Sequence, residues 1–192
     1  VIKGVENLIA VFEHPFNVNG QEFYITGSAG VAVYPFDGED AETLVKNADI
    51  AMYIAKSRGK NQYALCTEDM KDEVKQNIKL SNCLYRVQER DELSLYYQPQ
   101  VKLNTGQIIG LEALLRWKHP EMGMIHPSTF IPLAETNGTI NSIGEWVLKT
   151  AARQNRLWQD KGYPHLRMAV NLSIVQFNNP SLVANVERKN SD

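Results

Sequence analysis

The first 66 positions show first a helical and then a strand-like pattern of hydrophobic residues. Apolar side chains at 3-4-3 spacing predict an amphipathic helix at the start of the chain, formed by Ile2, Val5, Ile9 and Phe12. Asn19-Gly20 separates two β-prone runs, a strong signal for a hairpin. Strands are therefore predicted near 15–18, 22–26 and 28–34. A second helix from about 40 to 57, ended by Gly59, and a strand at 61–65 complete an α+β unit over 1–66.

Residues 67–92 are highly charged and carry only a sparse apolar stripe. Thr67 is suited to cap a helix, with Glu68 and Asp69 in the first turn, where the helix dipole favours acidic side chains. This pattern predicts a helical connector between two domains. The alternative is a solvated amphipathic helix within one larger domain.

Beyond residue 92 the pattern changes to strands that are apolar on both faces. Strands are predicted at 94–101, 107–117 and 166–172, with a short helix from Pro127 and a longer one near 139–161. Helices that alternate with such strands are typical of a parallel α/β sheet or barrel. The sequence thus predicts an α/β chain whose last domain covers 93–192.

Composition narrows the function classes. The 192 residues have a net charge of −2 and 22% charged residues, so there is no electrostatic reason to expect nucleic acid or an anionic membrane as partner. Cys66 and Cys83 lack metal-ligand spacing and are interpreted as buried apolar residues, which suits a reducing cytoplasm. No apolar run approaches 18 residues, so no membrane segment is predicted in this chain, although a longer parent could be anchored elsewhere.

Glu112 stands in the middle of the apolar strand predicted at 107–117. Side chains alternate along a strand, so Glu112 and Arg116 share one face. A buried carboxylate is costly unless it is paired or bound to a cation. Either Glu112 pairs with Arg116 or caps a helix, or it binds a hard cation while Arg116 reaches an anionic substrate. The first alternative is strained, because four residues along a strand span roughly 13 Å.

Asn171, in "MAVNLS", stands at the end of another apolar strand. In a β/α barrel, sites are built at the C-terminal ends of strands. A carboxylate and a carboxamide are both oxygen ligands suited to Mg²⁺ or Mn²⁺. Four histidines lack ligand spacing and are interpreted as surface or packing residues: His14, His119, His126 and His165.

The run "YYQPQV…GLEALLRWKHPEMGMIHPSTFIPLAE…VNLS" resembles the first half of an EAL domain, the cyclic-di-GMP phosphodiesterase family. The resemblance implies the start of a TIM-like (β/α) barrel. It implies that Glu112 and Asn171 are ligands to a catalytic Mg²⁺ or Mn²⁺, that Arg116 contacts a substrate phosphate, and that Gln98 lies near a guanine base. The implied reaction is metal-assisted hydrolysis of cyclic-di-GMP to linear pGpG.

Upstream, "GSAGVAVYPFDGEDAETLVKNADIAMYIAKSRGKNQY" resembles the second half of a GGDEF domain, the diguanylate cyclase family. Lys56 and Lys60 match two basic residues that contact GTP phosphates, although the second is commonly arginine. The whole chain thus resembles a GGDEF–EAL tandem, with a partial GGDEF unit over 1–66, the connector over 67–92 and part of an EAL domain over 93–192. Whether the GGDEF part binds GTP stays open.

Departures from both families bear on activity. The GGDEF motif is absent, so no cyclase activity is expected from this chain. No Asp-Asp dipeptide occurs, and the family's catalytic lysine and later glutamates are missing too. We therefore expect a fragment of a phosphodiesterase that is inactive by itself. The alternative is a non-catalytic cyclic-di-GMP receptor or interaction module. An incomplete barrel also leaves open sheet edges, which association into a homo-oligomer would cover.

Overall fold

A computed structural model describes residues 1–180 and 182. The chain divides into two compact units, Val1–Ile78 and Lys79–Asp192. The division falls within one helix, α3 (Glu68–Leu84), which covers the first part of the predicted connector. This helix ends at Leu84, and residues 85–91 form turns instead of continuing it.

The first unit is a small α+β structure. It begins with α1 (Ile2–Ala10) and a single 3-10 turn, followed by a hairpin of β1 (Phe16–Val18) and β2 (Gln21–Phe23). Asn19 and Gly20 form the hairpin turn, with φ angles of 54° and 83°. Strand β3 (Ala29–Val31) pairs in parallel with β4 (Tyr63–Leu65), and the crossover between them contains α2 (Ala41–Ser57). The strands are shorter than predicted, since 32–34 and 24–26 lie outside them.

Helix α2 begins and packs for identifiable reasons. The Asp40 carboxylate accepts a hydrogen bond from the backbone N–H of Thr43 at 2.8 Å, which satisfies one free donor of the first turn. Gly30 of β3 lies against the backbone of α2, where an added Cβ would be 1.8 Å from the carbonyl oxygen of Ala48. The core of this unit is formed by Val31, Ala51, Ile54, Ala55 and Cys66.

The second unit contains one four-stranded sheet and the helices beside it. Strand β5 (Leu93–Val101) pairs antiparallel with β6 (Ile108–His119), which pairs antiparallel with β7 (Gly123–Ile125). Helices α4 (Pro127–Asn137) and α5 (Ile140–Asp160) follow, then β8 (Arg167–Val170) and a single turn, α6 (Ile174–Phe177). Strand β8 pairs in parallel with β6.

This topology confirms the α/β class and corrects two details. The sheet is mixed, because β5 returns to β6 through the tight turn at Asn104-Thr105-Gly106 and therefore runs antiparallel to it. Strand β7 lies between the predicted strand at 107–117 and the predicted helix from Pro127, where no element was predicted. Its three residues are too few to show a periodic pattern. They pair with the last three residues of β6.

One face of the sheet packs on α4 and α5, and Glu112 and Arg116 lie on the opposite face. Trp117, fully buried on β6, makes an edge-to-face contact with Phe130 of α4 at 5.5 Å between ring centroids. Tyr97 of β5 meets Trp158 of α5 in the same way at 4.8 Å, and burial raises the pKa of its phenol. Glu112 and Arg116 alternate with these core residues, so they project from the opposite face. None of the helices in the described residues is long and apolar enough to cross a membrane.

Candidate metal centre

Glu112 and Asn171 are brought together by the parallel pairing of β6 with β8. Glu112 is opposite Ala169, and Asn171 follows two residues later, one position past the end of β8. The Asn171 Nδ2 donates a hydrogen bond to Glu112 Oε1 at 2.7 Å. The two residues predicted as metal ligands are thus in direct contact, although 59 positions separate them in the sequence.

Gln98 lies on β5, the strand that pairs with β6 on the side opposite to β8. The antiparallel register of β5 and β6 pairs Gln98 with Glu112, so both side chains project from the same face of the sheet. Gln98 and Asn171 are exposed, whereas Glu112 is half-buried between the two flanking strands. A carboxylate flanked by two carboxamides therefore forms the centre of this face.

Arg116 shares this face but does not pair with Glu112. Its guanidinium carbon lies 5.3 Å from the centroid of the Tyr96 ring, and its Nη1 donates to the backbone carbonyl of Leu115 at 2.9 Å. A cation over an aromatic face is attracted by the ring's quadrupole. The alternative in which Arg116 neutralises Glu112 directly is therefore not what the structure shows.

The donor set at Glu112 suits a hard divalent cation in part. Carboxylate and carboxamide oxygens are the ligands that Mg²⁺ and Mn²⁺ prefer, and Mg²⁺ commonly takes one or two protein ligands and completes its shell with water and phosphate oxygens. The Asn171 amide would have to present its Oδ1 in place of the Nδ2 that now faces Glu112. Across the described residues, no group of three or more His, Cys, Asp and Glu side chains is arranged to hold a metal ion.

Two residues beside the site were not predicted from the sequence. Ser173, two positions past Asn171, donates its hydroxyl to Glu135 Oε1 of α4 at 2.5 Å. Ser173 also opens α6 in a reciprocal capping box with Gln176. The Ser-x-x-Gln spacing is a sequence signature of such a box and could have indicated this turn. Nothing in the local pattern indicates Glu135, since its partner lies 38 residues away.

The histidines and cysteines have packing or surface positions. His119 is buried, and its ring lies 5.9 Å from that of Trp117, while its Nδ1 accepts from the backbone N–H of Glu121 at 3.2 Å. His126 caps α4, accepting from the backbone N–H of Ser128 at 3.3 Å. Cys66 is buried and Cys83 half-buried, and both are free thiols.

The basic residues predicted for phosphate contacts lie in the first unit. Lys56 is in the last turn of α2, and Lys60 follows the end of that helix with a φ angle of 61°. Both side chains are exposed. Their exposure leaves both ammonium groups accessible to an anion.

Comparison with protein families and relatives supports both halves of the resemblance. The family model of the EAL domain matches residues 81–192, and that of the diguanylate cyclase GGDEF domain matches residues 1–62. The bifunctional diguanylate cyclase/cyclic di-GMP phosphodiesterase MucR of Pseudomonas aeruginosa is 44% identical over 181 residues, 94% of this chain and 26% of that protein. The cyclic di-GMP phosphodiesterase PdeR of Escherichia coli is 40% identical over 162 residues, 84% of this chain and 24% of that protein. The chain thus spans about a quarter of these relatives.

Solved structures give the same result for the fold. A structure of the phosphodiesterase PaMucR in complex with c-di-GMP matches with a TM-score of 0.56 and 50% identity, over 58% of this chain and 45% of that one. The EAL enzyme Bd1971, with cAMP and cyclic-di-GMP bound, matches with a TM-score of 0.56 and 32% identity, over 62% of this chain and 34% of that one. The residues matched by the EAL family model, 81–192, include Glu112, Arg116 and Asn171. The chain belongs to the EAL domain family, and a match to the GGDEF domain precedes the EAL match.

Proposed function

We propose that this chain is part of a cyclic-di-GMP signalling protein whose EAL domain hydrolyses cyclic-di-GMP to pGpG with a divalent cation. The contact that carries the proposal is the 2.7 Å hydrogen bond between Asn171 and Glu112. It joins the two residues that would hold the cation on an open sheet face, next to Gln98. The relatives named as cyclic di-GMP phosphodiesterases, and the nucleotide bound to PaMucR, support the choice of substrate.

Each residue has a role that follows from its chemistry and place. Glu112 and Asn171 would hold Mg²⁺ or Mn²⁺ through their side-chain oxygens. Such a cation supplies Lewis acidity and an activated water for attack on a phosphodiester. Arg116 would bind a phosphate of the substrate, since a guanidinium fork matches a phosphate group. Gln98 would hydrogen-bond a guanine edge with its amide.

The GGDEF part supports a narrower proposal. Lys56 and Lys60 are exposed at the end of α2, where ammonium groups can reach phosphates of a bound nucleotide. We propose them as contacts for GTP phosphates. Loss of GTP binding on replacing both lysines with alanine would support this role, whereas unchanged binding would exclude it.

The main proposal is tested by calorimetric titration of cyclic-di-GMP into the full protein, first with Mg²⁺ and then with EDTA. The recovered nucleotide is analysed by chromatography. Metal-dependent binding with pGpG as product supports hydrolysis. Binding that survives EDTA, without product, would instead show the non-catalytic receptor. Absence of binding in both conditions overturns the proposal.

A further inference from the structure

The segment that carries Asn171 is held by polar contacts from a helix outside the site. Ser173, two residues after Asn171, donates its hydroxyl to Glu135 Oε1 at 2.5 Å. Glu135 is half-buried in the second half of α4. A hydroxyl that donates to a carboxylate makes a charge-assisted hydrogen bond, stronger than one between neutral groups. Glu135 therefore fixes the path of the chain just beyond β8.

A second helix holds the other end of the same segment. Gln176 is buried, and its Oε1 accepts from the backbone N–H of Ser173 at 3.0 Å. Its side chain lies against Gly144 of α5, where an added Cβ would be 1.9 Å from Gln176 Nε2. Glycine at position 144 therefore leaves the space that the Gln176 side chain occupies. The turn after Asn171 is thus tied to α4 through Glu135 and packed on α5 through Gln176.

These ties matter for Asn171 because the strand before it is short. Strand β8 has four residues and ends at Val170, so ladder pairing does not include Asn171 itself. The side chain of Asn171 is exposed, and its described contact is the one with Glu112. The backbone of Asn171 is thus held on one side by the pairing of Val170 with Ala113 and on the other side by the contacts of Ser173.

We propose that Glu135 is a positioning residue for the metal centre: through Ser173 it holds the Asn171 amide against Glu112. The inference rests on the proposed metal-dependent function of that site. Residues that orient metal ligands affect metal affinity about 10- to 100-fold when they are replaced. Glu135 is not a member of the buried hydrophobic cluster of the second unit, so its loss removes an orienting contact and little core volume.

The test compares Glu135→Ala, Glu135→Gln and Ser173→Ala in the full protein labelled with ¹⁵N-asparagine. The side-chain amide signals of Asn171 are identified by their loss in Asn171→Asp. We expect Glu135→Ala to move these signals toward those of unbonded amides and to weaken Mn²⁺ binding about 10-fold. Glu135→Gln keeps an acceptor for the Ser173 hydroxyl and should stay within about threefold of the original Mn²⁺ affinity. Thr136→Ala, one position along α4, is the matched control and should change neither quantity.

The outcomes separate this inference from the proposed function. Unchanged Asn171 signals and unchanged Mn²⁺ affinity in Glu135→Ala would overturn the positioning role. An unaltered protein that binds no Mn²⁺ would overturn the metal site, and the Asn171 signals would still decide whether Glu135 positions the amide. If Glu135→Ala does not fold, as shown by a lost thermal transition, Ser173→Ala removes the same hydrogen bond together with the cap of α6. Unchanged Asn171 signals and unchanged Mn²⁺ affinity in Ser173→Ala would then overturn the positioning role.

Discussion

Asn171 and Glu112 form a hydrogen bond of 2.7 Å across two parallel strands, and each is also a potential oxygen ligand. The Asn171 amide supplies one hydrogen-bond donor to the Glu112 carboxylate. To bind a cation together with the Glu112 carboxylate, Asn171 would have to present its Oδ1 in place of its Nδ2. The same pair thus marks where a cation would bind.

In the full protein, Glu112→Gln is expected to abolish metal-dependent hydrolysis while leaving the fold intact. The substitution keeps the side-chain volume but replaces a charged ligand by a neutral one, so activity should fall by more than about 100-fold, beyond the range for residues that only orient ligands. Product pGpG is followed by chromatography, and the melting temperature is measured in parallel. Glu121→Gln, an exposed carboxylate paired with Lys79, is the matched control. Near-full activity of Glu112→Gln would show that Glu112 is not a ligand.

The sequence predicted elements and motif residues better than the contacts between them. Helix α5 was predicted at 139–161 and lies at Ile140–Asp160, because its apolar stripe is long and regular. Strand β7 and the turn α6 were missed, since three or four residues show no period. Glu112 and Asn171 could be predicted because each is a polar residue in or at the end of an apolar strand, and because both match the EAL family. The bond from Ser173 to Glu135 was not, because only the tertiary fold brings these residues together.

Tyr96→Ala is expected to weaken substrate binding through Arg116. The Tyr96 ring holds the guanidinium at 5.3 Å, and its removal frees the long arginine side chain to adopt other rotamers. A contact of this kind at an exposed position is worth about 0.5–1 kcal/mol, so the Kd for cyclic-di-GMP should rise about two- to fivefold. Isothermal calorimetry measures this change. Tyr96→Phe keeps the ring and should bind as the original does; equal weakening by both substitutions would refute the cation–π role.

Trp117→Phe is expected to destabilise the second unit through the buried carboxylate of Glu92. The indole N–H of Trp117 donates to Glu92 Oε2 at 2.9 Å, and both side chains are buried. Phenylalanine fills most of the space but leaves the carboxylate without this donor, at a cost of about 1–3 kcal/mol in the free energy of unfolding. Urea unfolding measures the loss. Glu92→Gln, which keeps an acceptor for the indole, should cost less. A Trp117→Phe protein as stable as the original would show that the bond contributes nothing.

Cys66 is expected to react slowly with iodoacetamide until the pH is well above neutral. Burial raises the pKa of the Cys66 thiol above its ordinary value of 9.0, so little of the reactive thiolate is present at pH 8. The neutral thiol's contribution to stability is present below the unfolded pKa and is lost as the pH rises through the folded pKa. Rates are measured against pH in Cys83→Ser, where Cys66 is the remaining thiol, and in Cys66→Ser as comparison. Equal rates for the two thiols at pH 8 would contradict the effect of burial.

Gly30→Ala is expected to destabilise the first unit, because β3 and α2 approach too closely for a side chain. A Cβ at position 30 would lie 1.8 Å from the carbonyl oxygen of Ala48 and 2.4 Å from the backbone nitrogen of Met52. Backbone atoms cannot rotate away as a side chain can, so the helix must move from the strand. Such overpacking costs about 3 kcal/mol.

Hydrogen exchange of the amides in α2 reports the effect of Gly30→Ala, since these amides open when the helix separates from β3. Gly4→Ala is the matched control: it lies in α1 with nothing within 4 Å of an added Cβ. That substitution should stabilise by about 0.5–1 kcal/mol, because alanine loses less backbone entropy than glycine in a helix. Exchange in α2 that is unchanged by Gly30→Ala would mean that β3 and α2 are not in this close contact.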